Sequence, residues 1–324
     1  MHLPRRKFVR LAALVATLSA MACPAFAQTY PTRPIRWVVP YPAGGATDLI
    51  SRVMAQWLTE RLDQPVIVDN RPGGGTNIGT QAVVNSLPDG YTLLFTASTH
   101  TINVSLQQLP FNFLRDITLV SGLTELPLVM DVSPKLPIKD LNDFVAYAKA
   151  HPGKVNVASF GATTIGHLAI EFFKVTAGVD VVHVPYRGGA QMMTDLISGQ
   201  IQAAVDSLPS SLPHIKSGAI RPLAVLSAER SPLLPDLPAA REIIPGLEVR
   251  TFSGVGVPTG TPPEVIERLN SEINAGLANP AIRARFAEIG ASPVIMSSAE
   301  ANAFVKAQTE KWARVIKEAG IKAE

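Results

Sequence analysis

The sequence predicts an α/β protein with two lobes. Three observations lead there. Short β-rich runs alternate with helical patterns, which argues for a largely parallel sheet flanked by helices. The alternation restarts after the middle of the 324-residue chain. Two strand-rich passages, at 119–132 and 247–257, interrupt it and read as two crossings between lobes.

The first 27 residues stand outside that scheme. Arg5, Arg6, Lys7 and Arg10 form a cationic start without acids, and residues 11–22 are an apolar run. Ala25-Phe26-Ala27 then puts small residues at the two positions a signal peptidase reads. This is the layout of a cleaved secretory signal, too short for a bilayer-spanning helix. A membrane anchor is the competing reading. Arg5-Arg6-Lys7-Phe8 also resembles a twin-arginine signal. Ala20-Met21-Ala22-Cys23 is a poor lipoprotein box, because the residue two before the cysteine should be small. A mature N-terminus at Gln28, outside the cytoplasm, is expected.

Removing the leader changes the charge balance. Of 29 Lys+Arg and 26 Asp+Glu, the leader takes four cations and no acids, leaving 25 against 26. A nearly neutral mature chain gives no support for nucleic-acid binding. The single cysteine, Cys23, leaves with the leader, so no disulfide, thiol nucleophile or cysteine metal site is expected. No later apolar run approaches the ~20 residues of a membrane span.

In the first lobe, residues 35–40 read as a strand and 47–62 as a helix, with Leu49, Ile50, Val53, Trp57 and Leu58 at helical spacing. Strand 66–68, helix 78–86 and strand 91–96 follow. In the second, helix 140–150 precedes strand 155–158. Helix 165–177 carries Leu168, Phe172 and Val175 on one side. Strand 181–184, helix 190–198 and strands 201–205 and 223–226 complete it. The proline-rich stretch 230–245 reads as loop. The tail is helical at 263–278, 281–289 and 299–319, with Pro262-Pro263 where a helix start tolerates proline. It is expected to fold back onto the first lobe.

The strand-to-helix loops are the candidate sites. Tyr41-Pro42-Ala43-Gly44-Gly45-Ala46-Thr47-Asp48 can cradle a carboxylate or phosphate with backbone N–H groups at a helix start. It can equally be a tight turn capped by Thr47 or Asp48. Gly73, Gly75 and Gly79 match dinucleotide-loop spacing, but they follow the second strand and Arg71-Pro72 intervenes, which favours a structural role. The loop from Ser159 to His167 repeats the strand–loop–helix logic. His167 and Glu171 are too few for a metal site and read as a helix-surface pair. Arg187 can bind a second carboxylate or be a solvated cation. Asp206 follows a strand, where cleft residues often lie. The chain has no Gly-x-Ser-x-Gly elbow, no His-Glu-x-x-His and no phosphate loop, which weighs against an enzyme.

With these loops in place, the chain resembles the Bug family, the extracytoplasmic substrate-binding proteins of tripartite tricarboxylate transporters. The resemblance runs through Val39-Pro40-Tyr41-Pro42-Ala43-Gly44-Gly45-Ala46-Thr47-Asp48, Asn70-Arg71-Pro72-Gly73-Gly74-Gly75-Thr76-Asn77-Ile78-Gly79, Leu87-Pro88-Asp89-Gly90-Tyr91-Thr92, His183-Val184-Pro185-Tyr186-Arg187-Gly188-Gly189 and Gly256-Val257-Pro258-Thr259-Gly260. It implies a two-lobed periplasmic-binding-protein fold of the Venus-flytrap type (type II). Residues 28–125 and 250–324 would form lobe I and 126–249 lobe II. It implies a small organic acid in the interlobe cleft, held by backbone amides and ordered water. No cofactor, metal or catalytic residue is implied. The expected partners are membrane subunits of a tripartite tricarboxylate-type transporter. A periplasmic monomer is expected.

By position, the resemblance puts the first-lobe cradle on Tyr41, Ala43, Gly44, Gly45 and Asp48. Ser98, Thr99 and Asn103 fall in the loop after the third strand. The second-lobe partner falls on Ser159, Gly161, Thr164 and His167, and Asp206 matches a cleft aspartate. The family often has Asn-Pro where this chain reads Asn103-Val104, and Trp where Phe252 stands. Phe160-Gly161-Ala162-Thr163-Thr164 is an unusual loop. These departures are expected to shape the far end of the pocket. A ligand-sensing module remains an alternative, as does an exported α/β hydrolase or transferase using the same cleft.

Overall fold

A computed structural model describes residues 30–161, 164–186, 189–318 and 320–321. The leader, Cys23 and Arg187 lie outside the described residues. All elements below belong to one unit, Arg33–Glu324.

The first part of the chain runs β1 (Ile35–Val39), α1 (Ala46–Leu62), β2 (Val66–Asn70), α2 (Asn77–Val84), β3 (Thr92–Ala97), α3 (Ser98–Leu106), α4 (Phe113–Asp116) and β4 (Ile117–Glu125). The middle runs β5 (Leu128–Val132), α5 (Leu141–Ala150), β6 (Asn156–Ser159), α6 (Ile165–Ala177), β7 (Val182–Pro185), α7 (Gly189–Ser198), β8 (Ala203–Ser207), α8 (Leu208–Lys216), β9 (Arg221–Val225) and α9 (Ala240–Ile243). The tail is β10 (Ser253–Pro258), α10 (Pro263–Ala278), α11 (Pro280–Glu288), β11 (Ser292–Pro293) and α12 (Ser298–Glu318).

Two sheets result, which is the two-lobed α/β architecture. The first has the order β11-β4-β10-β3-β1-β2 and the second β7-β6-β8-β5-β9. β1 pairs parallel with β2 and β3, and β6 with β7 and β8. Residues Trp37, Val38, Leu93 and Leu94 are fully buried, as expected of parallel strands covered on both faces. β10 returns from the second sheet to insert antiparallel between β3 and β4.

The chain therefore passes between sheets twice, and the two passages are laced together. Leu126 N–H donates to the Thr251 hydroxyl oxygen at 2.7 Å, and that hydroxyl donates to the Leu126 carbonyl. Beside them Ser98 N–H donates to the Phe252 carbonyl and Phe252 N–H to Ser98 Oγ, at 3.0 and 2.9 Å. The start of α3 is thus fixed to the returning strand.

Several elements depart from the sequence expectation. The segment after the third strand is not a loop but α3, and α4, α8, α9 and β11 form where none was read. Along 247–257 only Ser253–Pro258 is strand. The tail helix also straddles: Ala301 and Val305 pack with first-sheet residues such as Val38 and Leu94, whereas Trp312, Val315 and Ile316 join the core around Leu168 and Val205.

Candidate functional site

Four helices begin at one cavity of about 340 Å³, and this sets its chemistry. Thr47 is in the first turn of α1, and Ser98 and Thr99 open α3. Thr164 caps α6 and Ser207 precedes α8. The first turn of a helix has N–H groups without intrahelical partners, and the aligned peptides put roughly half a positive charge there. Four such ends around one space favour an anion without any cationic side chain.

The loop leading into α1 shows how the sequence builds this. Gly44 has φ +85°, a left-handed conformation that glycine adopts at little cost. Its N–H turns inward and donates to Asp48 Oδ2 at 2.9 Å. Arg52 Nε donates to the same oxygen at 3.0 Å, and Asn70 Nδ2 to Oδ1 at 3.0 Å. Burial opposes the charge on Asp48, but the Arg52, Gly44 and Asn70 hydrogen bonds outweigh it and hold the carboxyl below its usual range. Asp48 is a buried organiser of the loop, with its oxygens occupied by protein. Ala43, Gly44 and Gly45 are exposed on the loop and do not line the cavity. Tyr41 does. Its hydroxyl donates to Thr99 Oγ1 at 3.4 Å, and its ring meets Phe95 edge-on at 6.0 Å.

The other candidates divide in the same way. Ser98, Thr99 and Thr164 reach the cavity wall. Asn103 is buried on α3 and braces the glycine loop, donating to the Gly75 carbonyl at 2.6 Å. Ser159 is buried, with its hydroxyl 2.7 Å from His183 Nε2. Gly161 has φ +150°, and a Cβ there would come within 2.9 Å of the Thr164 methyl. Its carbonyl accepts from the Thr164 hydroxyl at 2.8 Å, which holds the mouth of α6. The His167 ring stacks on His183 with centroids 3.8 Å apart. Burial, with His167 and Lys174 nearby, pushes His183 down to about 3. Asp206 is 3 % exposed, and Oδ1 accepts from Ser207 N–H at 2.7 Å; burial pushes its carboxyl up against the Ser210 and Ser207 hydrogen bonds. None of Asn103, Ser159, Gly161, His167 and Asp206 lines the cavity.

Sequence reasoning missed much of the wall. Thr47 and Ser207 contribute hydroxyls that make no hydrogen bond to the protein among the described residues. Their position beside a helix start was the available signal. Leu126 and Thr251 line the space because they lie on the two passages between sheets. Phe160 and Phe252, marked in the sequence as departures, both line it.

A second cavity, of about 440 Å³, sits by the same passages and includes Glu125, Arg230 and Arg250. Both of its arginines are already paired, Arg250 with Glu125 and Arg230 with Glu242. Among the described residues no group of three or more His, Cys, Asp or Glu is placed to hold a metal ion, and no helix is long and apolar enough to cross a membrane.

Comparison with known proteins adds a consistent set of likenesses. The family described as "Tripartite tricarboxylate transporter family receptor" matches residues 50–321. Protein BugT of Bordetella pertussis is 38% identical over 320 residues, covering 97% of this chain and 98% of that one. Among solved structures, Rpa4515 of R. palustris with adipate is 34% identical with TM-score 0.81, covering 91% of this chain and 100% of that one. The periplasmic binding protein BugD superposes with TM-score 0.77 at 31% identity over 91% of this chain and 100% of that one. MatC from Rhodopseudomonas palustris with bound malate gives TM-score 0.76 at 28% identity over 89% and 100%.

Proposed function

The chain belongs to the tripartite tricarboxylate transporter receptor family, whose members are periplasmic solute-binding proteins and not enzymes, and from that premise we propose that it captures a small organic acid for uptake. The carboxylate sits in the 340 Å³ cavity against the starts of α1, α3, α6 and α8. That convergence is the observation that carries the reading, since neutral helix ends are well suited to an anion. The relatives solved with adipate and malate support it. Residues 28–125 with 250–324, and 126–249, act as the two lobes, with the end of α12 packed across onto the second, and close over the ligand about the laced passages at Leu126 and Thr251. The closed form delivers its acid to membrane subunits of a tripartite tricarboxylate-type carrier.

A thermal-shift series of mono-, di- and tricarboxylates tests the capture step. A ligand at about 100 times its dissociation constant adds ~2.7 kcal/mol of stability, which moves the melting temperature by several degrees in a protein of this size. A series in which no acid shifts the transition, while neutral solutes do, would remove the carboxylate reading.

Export is proposed with cleavage after Ala27. The intact mass of the periplasmic protein is expected to match a chain starting at Gln28. A lipid-modified chain starting at Cys23 would instead make it a tethered lipoprotein.

A further inference from the structure

Away from the helix starts, the cavity wall is hydrocarbon. Ile50, Phe95, Leu126, Leu128, Phe160 and Phe252 form it. The Phe160 ring packs on the bare backbone of Gly166, where a Cβ would come within 2.8 Å of the ring edge, so no larger residue fits behind it. Phe252 is backed by Phe304, with ring centroids 5.0 Å apart. Hydroxyls on this side are turned to other use. Thr124 and Ser253 bond each other at 2.7 Å, and the Thr251 hydroxyl serves the Leu126 carbonyl. The free hydroxyls, Thr47 and Ser207, both sit at helix starts.

The wall is therefore two-natured: one region is suited to a single anion and the remainder to an apolar body. A second carboxylate set against this hydrocarbon would lose its water with no described donor to replace it, a heavy penalty for a charge. An apolar body gains there from burial. At about 30 Å³ per water-sized group, the cavity holds roughly eleven such groups, enough for an acid the size of hexanoate or benzoate.

Resting on the carboxylate reading, we infer that the ligand class is the apolar-bodied monocarboxylate, an aliphatic or aromatic acid with an uncharged far end. In this the chain departs from its relatives solved with adipate and malate, both charged at each end. Phe160, Phe252 and Leu126 are the residues that set the preference.

Calorimetric titration of the whole mature protein with two matched pairs tests it: hexanoate against adipate, and benzoate against terephthalate. Each pair differs only by a carboxylate at the far end. The monoacid is expected to bind at least about tenfold more tightly in both pairs, a difference of ~1.4 kcal/mol. Leu126→Arg, which puts a cation on the half-buried wall, is expected to narrow or reverse that ratio. A diacid that binds the unaltered protein as tightly as its monoacid overturns the monoacid class and leaves the carboxylate reading standing. Hexanamide or benzamide binding as tightly as the acid overturns the carboxylate reading beneath it. Absence of binding by both monoacids overturns the inference.

Discussion

The primary amide of any acid this protein captures is expected to bind about 100-fold more weakly than the acid itself, a loss of ~2.7 kcal/mol. The reason lies in what faces the ligand. Thr47 and Ser207 bring unengaged hydroxyls to one space, and the starts of α1, α3, α6 and α8 bring first-turn N–H groups; the Ser98 N–H and the Thr164 hydroxyl are already given to the Phe252 and Gly161 carbonyls. A carboxylate answers them with two acceptor oxygens and a charge that the helix ends stabilise. Its amide loses the charge and turns one acceptor into a donor facing donors. Hydrogen bonds to a charged group are worth about 1.5–3 kcal/mol each, so forfeiting one or two accounts for the effect. Calorimetry on the acid and its amide, in one buffer and at one salt concentration, measures it. An amide within tenfold of its acid would mean that shape alone is recognised. With the lobes closed over the ligand as proposed, added salt should weaken the acid only slightly, because a buried charge is poorly screened.

Asp131→Asn is expected to raise the melting temperature by roughly 10 °C or more at pH 8 and to leave it unchanged at pH 4. Asp131 lies on β5 and is fully buried. The Ser211 hydroxyl donates to Oδ2 at 2.6 Å, while Oδ1 has no partner among the described residues. Burial pushes the carboxyl up to about 8; the Ser211 hydrogen bond opposes this and neighbouring Asp206 adds to it. In the unfolded chain the group ionises near 3.9. Between those values the folded state holds a proton that the unfolded state has released. Stability is therefore full below the unfolded value and falls as pH rises toward 8. A displacement of this size corresponds to a loss on the order of several kcal/mol, at roughly 2–4 °C per kcal/mol. Asparagine keeps an oxygen for Ser211 and has no proton to lose. Thermal melts of both proteins from pH 4 to 8 measure the gap. A gap that does not widen with pH would show that Asp131 is already charged in the fold.

Periodicity made the long helices and the parallel strands legible. Helix 165–177 was readable from its apolar spacing, and α6 has those limits; its buried stripe, however, runs through Ile165, Leu168, Ala169 and Phe173 rather than Phe172 and Val175, and Val175 is 51 % exposed. The α3 helix was not readable, because Ser98-Thr99-His100-Thr101 are residues that favour caps and turns. It forms because its surroundings hold it: Ala97 N–H donates to His100 Nδ1 at 3.0 Å and Ile102 is fully buried. Likewise α8 contains Pro209 and Pro213, which hide it from any local rule.

For the site, the loops were legible but the orientation of side chains was not. Asp48, Asn103 and Ser159 are the residue types that hold ligands, yet each is turned onto the protein's own backbone or side chains. That outcome depends on distant partners such as Asn70, Gly75 and His183. Thr47 and Ser207 look unremarkable in the chain, and matter because two sheets bring their helix starts to a common space.

The donors at the helix starts have a further consequence for the conditions under which the protein works. Backbone amides and aliphatic hydroxyls do not gain or lose protons in any range a living cell meets. Tyr41 is the only ionisable side chain among the described residues of the wall, and burial pushes its phenol up to about 12 despite its bond to Thr99. The receiving surface thus keeps the same charge from mildly acid to mildly alkaline surroundings. For a protein exported and binding an acid as proposed, in surroundings where acidity follows the medium, the strength of capture is then governed by how much of the acid is itself ionised.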